Sequence, residues 1–341
     1  MAADVTLLVT GGAGFIGSAF IRYILDAAPS WRVINFDSLS YAGNLHNLDA
    51  VSANPRYHFH YGNITIKQDL EAAFSRWHPG MVVHFAAESH VDRGIGSPEL
   101  FLRTNIGGTQ LLLDCARKYA VQRFVHISTD EVYGAVLPPA SCTEESPMLP
   151  NNTYAASKAA ADMLARVAHQ TWQMPVMTIR ATNNYGPCQF PEKLIPLMIE
   201  RARNNQPLPV YGDGLQQRTW LHVDDHCRAI EAVLKRGEPG EVYNVGTHDC
   251  PTNLQVITTL LDIMQKPHSL ITHVADRPGH DLRYALDFSK ISRTLGWQPH
   301  IDFATGLQHT AGWYLQHHQW LDDIASGEYH HYNKTKIQEG L

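Results

Sequence analysis

The chain has 341 residues, a formal net charge of −6 and a 44% hydrophobic composition, enough to bury one large core or two modest ones. Charged residues make up 18% of it with no long single-sign block, which argues against a nucleic-acid or membrane-surface partner. Met1 runs directly into a strand-like segment without a basic region and apolar leader, and no apolar run is long enough to span a bilayer.

Val5–Thr10 reads as a buried strand and Ser18–Ala27 as the helix that follows it. Further strands are expected at Trp31–Phe36, Tyr57–Tyr61, Met81–Phe85 and Arg123–Ser128, with helices at Thr109–Tyr119 and Thr153–Trp172. Near-continuous apolar strands alternating with helices predict an α/β fold: a doubly wound, parallel Rossmann-type sheet covered on both faces. After Arg180 the pattern changes, and Pro and Gly punctuate residues 185–214. Val223–Arg236 reads as a helix and Glu241–Val245 as a strand able to return to the main sheet. The expected organisation is a doubly wound unit over 1–182, with returning segments from about 223–246, interleaved with a smaller C-terminal substrate unit over 183–341.

The twenty histidines are scattered, and pairs such as His309/His317 and His330/His331 lack a zinc-like spacing, so no metal is expected. Five cysteines (Cys115, Cys142, Cys188, Cys227, Cys250) form no C-x-x-C and leave an odd count, as reduced thiols in a cytoplasmic protein would.

Gly11, Gly14 and Gly17 recur every third residue between the first strand and its helix. Glycines there permit a tight turn and let backbone N–H groups approach a pyrophosphate at the positive end of the helix. The spacing matches the variant typical of short-chain dehydrogenases. Asp37 ends the second strand, twenty residues beyond Gly17, where a carboxylate can bind the adenosine ribose hydroxyls and repel the extra phosphate of NADP, so NAD is the expected cofactor. A glycine-rich turn with a capping aspartate is the plainer alternative; the flanking strand and helix argue against it.

Tyr154 and Lys158 stand four residues apart, on one face of a helix. A free tyrosine has a pKa of about 10, and a lysine cation beside it, helped by a nicotinamide's positive charge, would favour the phenolate. Such a pair can take a proton from a sugar hydroxyl while hydride leaves the carbon. Ser128-Thr-Asp-Glu-Val-Tyr-Gly134 lies at the carboxyl end of the fifth strand, where open α/β sheets bind ligands. Eliminating water beside a ketone needs a base and an acid, roles that Glu131 and Asp130 can divide if their surroundings separate their pKa values. The alternative is a turn whose Thr and Asp cap a helix.

These features sit within ordered blocks spanning nearly the whole chain: TGGAGFIGS (10–18), DSLSYAGN (37–44), AAESHVDR (86–93), TNIGGT (104–109), STDEVYG (128–134), YAASKA (154–159), NNYGPCQFPEKLIPLMI (183–199), VYGDG (210–214) and DRPGHDLRY (276–284). In them the chain resembles the dTDP-glucose 4,6-dehydratase family of extended short-chain dehydrogenases. The resemblance implies a three-stage reaction: hydride moves from sugar C4 to NAD, with Tyr154 as base and Thr129 holding the C4 oxygen; Glu131 removes the C5 proton while Asp130 protonates the leaving C6 hydroxyl; and hydride returns to C6.

It also implies cofactor contacts at Phe15, Ile16, Ser38, Ser40, Asn63, Ile64, Phe85, Ala86, Ala87, Ser89, Thr104 and Asn184, beside the glycines, Asp37, Tyr154 and Lys158. Sugar-nucleotide contacts follow at Ser89, Thr129, Asn183, Lys193, Leu194, Pro209, Tyr211, Arg218, Asn253, Arg277 and His280, within the Asp276–His280 block for the last two. Arg218 and Arg277 would suit a diphosphate. A homodimer through the Thr109–Tyr119 and Thr153–Trp172 helices is likewise implied.

The chain departs from the family pattern at Asn63 (usually Asp), Ala155 (Ser), Pro150-Asn-Asn-Thr153 (PSSP), Cys188 (Tyr), Arg218-Thr-Trp-Leu-His222 (RDWLY) and Gly246-Thr-His-Asp-Cys250 (GGHNE-like). Nucleotide-sugar epimerases and decarboxylases typically lack the Asp-Glu pair, and GDP-mannose 4,6-dehydratases usually have Ser-Glu. A UDP-glucose 4,6-dehydratase remains an alternative. A non-catalytic NAD sensor or scaffold would be expected to have lost Tyr154 or Lys158.

Overall fold

Strand β1 (Thr6–Thr10), buried from Leu7 onward, lies inside a seven-stranded sheet, hydrogen-bonded to β2 (Arg32–Asp37) on one side and β4 (Met81–His84) on the other. The computed structural model describes residues 5–90, 94, 96–276 and 281–338. The sheet continues through β3 (Tyr57–Tyr61) beyond β2, and through β5 (Arg123–Thr129), β6 (Val176–Ala181) and β10 (Val242–Val245) beyond β4. Every pairing is parallel. The order β10-β6-β5-β4-β1-β2-β3 reverses direction at β1, which opens the crevice where such sheets bind ligands.

Parallel strands need crossover helices, and those helices bury both faces. On one face Phe15–Ala27 and Val223–Arg236 pack together through Phe20, Ile21, Ile24, Ile230 and Val233, all fully buried. Each such side chain contributes about 1.5–3 kcal/mol of transfer free energy. On the other face Lys67–Trp77, Thr109–Lys118 and Thr153–Trp172 close over Leu70, Phe74, Leu112, Phe124 and Ala165. A second core, around Tyr185, Ile195, Leu208, Val256, Leu260, Leu307 and Tyr314, lies in the C-terminal half. It carries two small parallel sheets: β7 (Asn183–Tyr185) with β9 (Trp220–His222), and β8 (Leu208–Tyr211) with β11 (Ile271–Val274).

The predicted elements are all present, with shifts at their ends. The first helix starts at Phe15 rather than Ser18, because Gly14 serves as its N-cap without any side-chain hydrogen bond to announce it. The Thr109–Lys118 helix is preceded by a π-helical turn, Leu102–Gly108, that the sequence pattern did not show. Asp37 is the last residue of β2. All five cysteines are free thiols, and His309, His317, His330 and His331 are exposed. Among the described residues no helix is long and apolar enough to cross a membrane, and no cluster of His, Cys, Asp or Glu is placed to hold a metal.

Candidate active site

One cavity of about 550 Å³ runs from the β1 glycine turn, across the carboxyl ends of the strands, to the Thr153–Trp172 helix and the segment before Leu194. At its first end the backbone fits a dinucleotide. Gly11 has φ +71°, and a Cβ there would stand 2.7 Å from the Ala86 nitrogen. A Cβ on Gly17 would stand 2.3 Å from the Gly11 carbonyl. The helix N-terminus carries no side-chain cap, so its first N–H groups remain available to phosphate oxygens. The Asp37 carboxylate accepts from the Ala13 and Leu39 amides at 2.9 and 2.8 Å, which fixes its direction. Burial pushes its carboxyl above the usual range, against those amide bonds.

All the residues named above as cofactor contacts line this cavity. Asn63 is among them, but its side-chain oxygen accepts from both the amide and the hydroxyl of Thr65 at 2.9 Å. The oxygen therefore shapes the local turn.

The catalytic candidates gather where β5 ends. Thr129 caps the short 3-10 turn Asp130–Tyr133, its hydroxyl oxygen accepting from the Glu131 amide at 3.3 Å and its O–H reaching Asp130 Oδ1 at 3.3 Å. Helix capping and acid placement thus describe the same turn. Asp130 is 2% exposed and its Oδ2 has no hydrogen-bond partner. Burial, then the charge of Glu131, push its carboxyl up to about 7, with Thr182, Arg218 and Thr129 partly opposing. Glu131 is half-buried, and its Oε2 accepts from Asn152 Nδ2 at 3.2 Å. Two adjacent carboxyls therefore meet different surroundings.

Tyr154 and Lys158 face the same cavity from the Thr153–Trp172 helix, but not as a hydrogen-bonded pair. Lys158 Nζ donates to the Ile127 carbonyl at 2.6 Å, and burial lowers its ammonium to about 8 while Asp162 holds it up. Burial and the Glu131 charge push the Tyr154 phenol up, with only the Thr129 hydroxyl working the other way. Within the protein alone burial is the largest influence on the phenol; the expected aid to the phenolate combines Lys158 with a nicotinamide's positive charge. Asp162 is in turn fixed by Arg180 Nε at 2.8 Å, and Arg180 donates to the Tyr133 hydroxyl at 2.8 Å. This buried chain holds the Lys158 turn against β5 and β6.

The substrate candidates divide. Ser89, Thr129, Asn183 and Lys193 line the cavity, and Lys193 Nζ donates to the Ser89 carbonyl at 2.9 Å. Leu194 opens the helix that follows, outside the lining. Pro209 and Tyr211 lie on β8, and Asn253 begins the Asn253–Ile263 helix, away from the cavity wall. Arg218 is buried, stacked 4.3 Å from the Tyr284 ring centre, and donates to the carbonyls of Gln217 and Asp281 at 2.7 and 2.8 Å. Arg277 and His280 lie outside the described residues.

Among the residues at the site that the sequence reading did not name are Asn152, Thr182 and His226. Asn152 carried a recognisable signal, an amide just before a helix. Thr182, whose hydroxyl donates to the Thr219 carbonyl at 2.8 Å beside Asp130, carried none. Nor did His226, whose Nδ1 donates to Asn184 Oδ1 at 2.9 Å in the cavity wall; burial lowers its imidazole to about 3.

A Rossmann sheet with this glycine turn, a Tyr-x-x-x-Lys helix and a long C-terminal half defines an extended short-chain dehydrogenase/reductase. Residues 8–310 match the family model described as GDP-mannose 4,6 dehydratase. The dTDP-glucose 4,6-dehydratase of Neisseria meningitidis serogroup B is 47% identical over 95% of this chain and 97% of its own. The crystal structure of DesIV, a dTDP-glucose 4,6-dehydratase from Streptomyces venezuelae solved with NAD bound, is 48% identical over 94% of this chain and all of its own, with a TM-score of 0.91. A UDP-glucose 4-epimerase from Thermus thermophilus, also solved with NAD, shares the fold at 30% identity and a TM-score of 0.85. The chain belongs to the dTDP-glucose 4,6-dehydratase family.

Proposed function

We propose that this chain converts dTDP-glucose to the 4-keto-6-deoxy sugar and water. NAD is the cofactor; held by Gly11, Gly14, Gly17 and Asp37, it would supply the acceptor for the C4 hydride and the donor of the hydride to C6. Thr129 holds the C4 oxygen and Tyr154 takes its proton, with the buried Lys158 supplying positive charge close by. The C4 ketone acidifies the C5 hydrogen, which Glu131 removes, and Asp130 gives its proton to the departing C6 hydroxyl. That division of labour carries the reading. Asp130, at about 7, still holds a proton near neutrality, as an acid must, while Glu131 is fixed by an amide N–H that suits a carboxylate.

Burial and the Glu131 charge oppose the phenolate, and the positive charge of a nicotinamide held in the cavity that Tyr154 lines would favour it. The sugar nucleotide is gripped by the unit spanning 183–341, which has its own apolar core, against the cofactor-binding unit over 1–182 with its return at 223–246. Mass spectrometry of products from dTDP-glucose and UDP-glucose tests the reading. Loss of water with preference for dTDP-glucose is expected; isomerisation without mass change would instead indicate an epimerase.

A second copy of the chain is the expected partner. Met163 and Val167, four residues apart on the Thr153–Trp172 helix, are 53% and 43% exposed, and Arg117 stacks over the exposed Trp172 from the neighbouring helix. Such an apolar stripe suits a helix-on-helix dimer in a reducing cytoplasm.

A further inference from the structure

We propose that Asn152 is a positioning residue for the proton-abstracting carboxylate: one side chain that fixes Glu131 to the first turn of the helix bearing Tyr154 and Lys158. The inference rests on the dehydration reading, in which Glu131 takes the C5 proton.

Asn152 is the N-cap of the Thr153–Trp172 helix, and its Oδ1 accepts from the Ala155 amide at 2.8 Å. That contact decides which way the side-chain amide faces, because a backbone N–H demands an oxygen. Nδ2 is therefore the atom turned to Glu131, and it donates to Oε2 at 3.2 Å. A donor on a carboxylate narrows its rotamers. The two functions share one rigid group: the oxygen starts the helix, and the nitrogen holds the base.

The strand of chain that carries Asn152 is itself fastened to the catalytic turn. The Leu149 amide donates to the Val132 carbonyl at 3.0 Å. Gly134, at φ +73°, lets the Leu149 carbonyl approach to where a Cβ would stand only 2.2 Å away. On the outer side Asn151 Nδ2 donates to Asp281 Oδ1 at 2.8 Å, and the Asp281 carbonyl accepts from Arg218. Asn152 is thus held from both ends, so its amide nitrogen has little freedom to leave Glu131.

Asn152→Asp separates the two functions. Aspartate caps a helix as well as asparagine does, but it turns a carboxylate rather than a donor toward Glu131. Asn152→Ser also caps and is too short to reach Oε2. The variants are incubated with dTDP-glucose in heavy water, following deuterium uptake at C5, the absorbance of reduced cofactor, and Tm, with Glu131→Gln as reference. Both Asn152 variants should keep Tm within about 2 °C and slow C5 uptake roughly 10- to 100-fold. C4 oxidation should stay near the parent rate, so reduced cofactor accumulates. Parent-like C5 uptake in both variants, with uptake abolished in Glu131→Gln, would overturn the role of Asn152 and leave the dehydration reading standing. An equal slowing of C4 oxidation and C5 uptake would also overturn it, as the mark of a merely structural cap. Parent-like uptake in Glu131→Gln would remove Glu131 from the role of C5 base, and this inference with it.

Discussion

Asp130 and Glu131 are neighbours in the chain, yet Asp130 Oδ2 is buried without a partner while Glu131 Oε2 is held by Asn152. A 3-10 turn capped by Thr129 makes this possible, because it sends successive side chains in different directions from the end of β5. Burial pushes the Asp130 carboxyl up to about 7, and the Glu131 carboxyl has the Asn152 amide as its neighbour.

Asp130→Asn should therefore trade function for stability. The carboxyl is raised in the fold from an ordinary 3.8 to about 7, chiefly by burial. Its contribution to stability is fully present below about pH 4 and is lost as pH rises through 7. An uncharged amide removes that loss. Urea unfolding should show the variant more stable than the parent at pH 8, by an amount on the order of 2–4 kcal/mol, with the gap closing toward pH 4. The same variant should lose water elimination before C4 oxidation; a failure of oxidation first would reverse the assigned roles.

Tyr154→Phe should slow the first hydride step by about 10²–10⁴-fold while leaving NAD affinity within a few-fold of the parent. Stopped-flow absorbance of the reduced cofactor in a single turnover checks this, alongside calorimetric NAD titration. A parent-like rate of cofactor reduction would remove Tyr154 from the role of base.

Gly17→Ala should disable cofactor binding with the rest of the molecule folded. The added Cβ would stand 2.3 Å from the Gly11 carbonyl, so the glycine turn itself must move. An NAD affinity at least about tenfold weaker is expected, since the backbone donors to the pyrophosphate shift with it. Unchanged affinity would mean that the turn does not hold the phosphates.

Met163→Glu with Val167→Lys should leave a monomer in sedimentation velocity runs. Polar groups on both turns of the stripe deny a second copy its apolar contact. A persisting dimer would place the interface elsewhere on the surface.

Much of this was legible in the sequence because local chemistry and position coincide. The glycine run, Asp37 and the Tyr154/Lys158 pair each sit at a strand end or on a helix face, and they line one cavity. What was not legible depends on contacts between distant segments. Asn152 meets Glu131 across twenty-one positions, and Arg218 meets the carbonyl of Asp281 across sixty-three. The depth of the Tyr154 helix in the fold was equally hidden, and it makes burial the largest influence on the Tyr154 phenol and the Lys158 ammonium. The start of the first helix was missed for a simpler reason, since a glycine N-cap has no side chain to announce it.

The central claim is that hydride leaves C4 and returns to C6 of the same sugar, with water lost between. dTDP-glucose carrying deuterium at C4 tests it in one measurement, by locating the label in the product with NMR. The account predicts a 4-keto product, lighter by one water, with the deuterium at C6. A label still at C4 in a product of unchanged mass would contradict it.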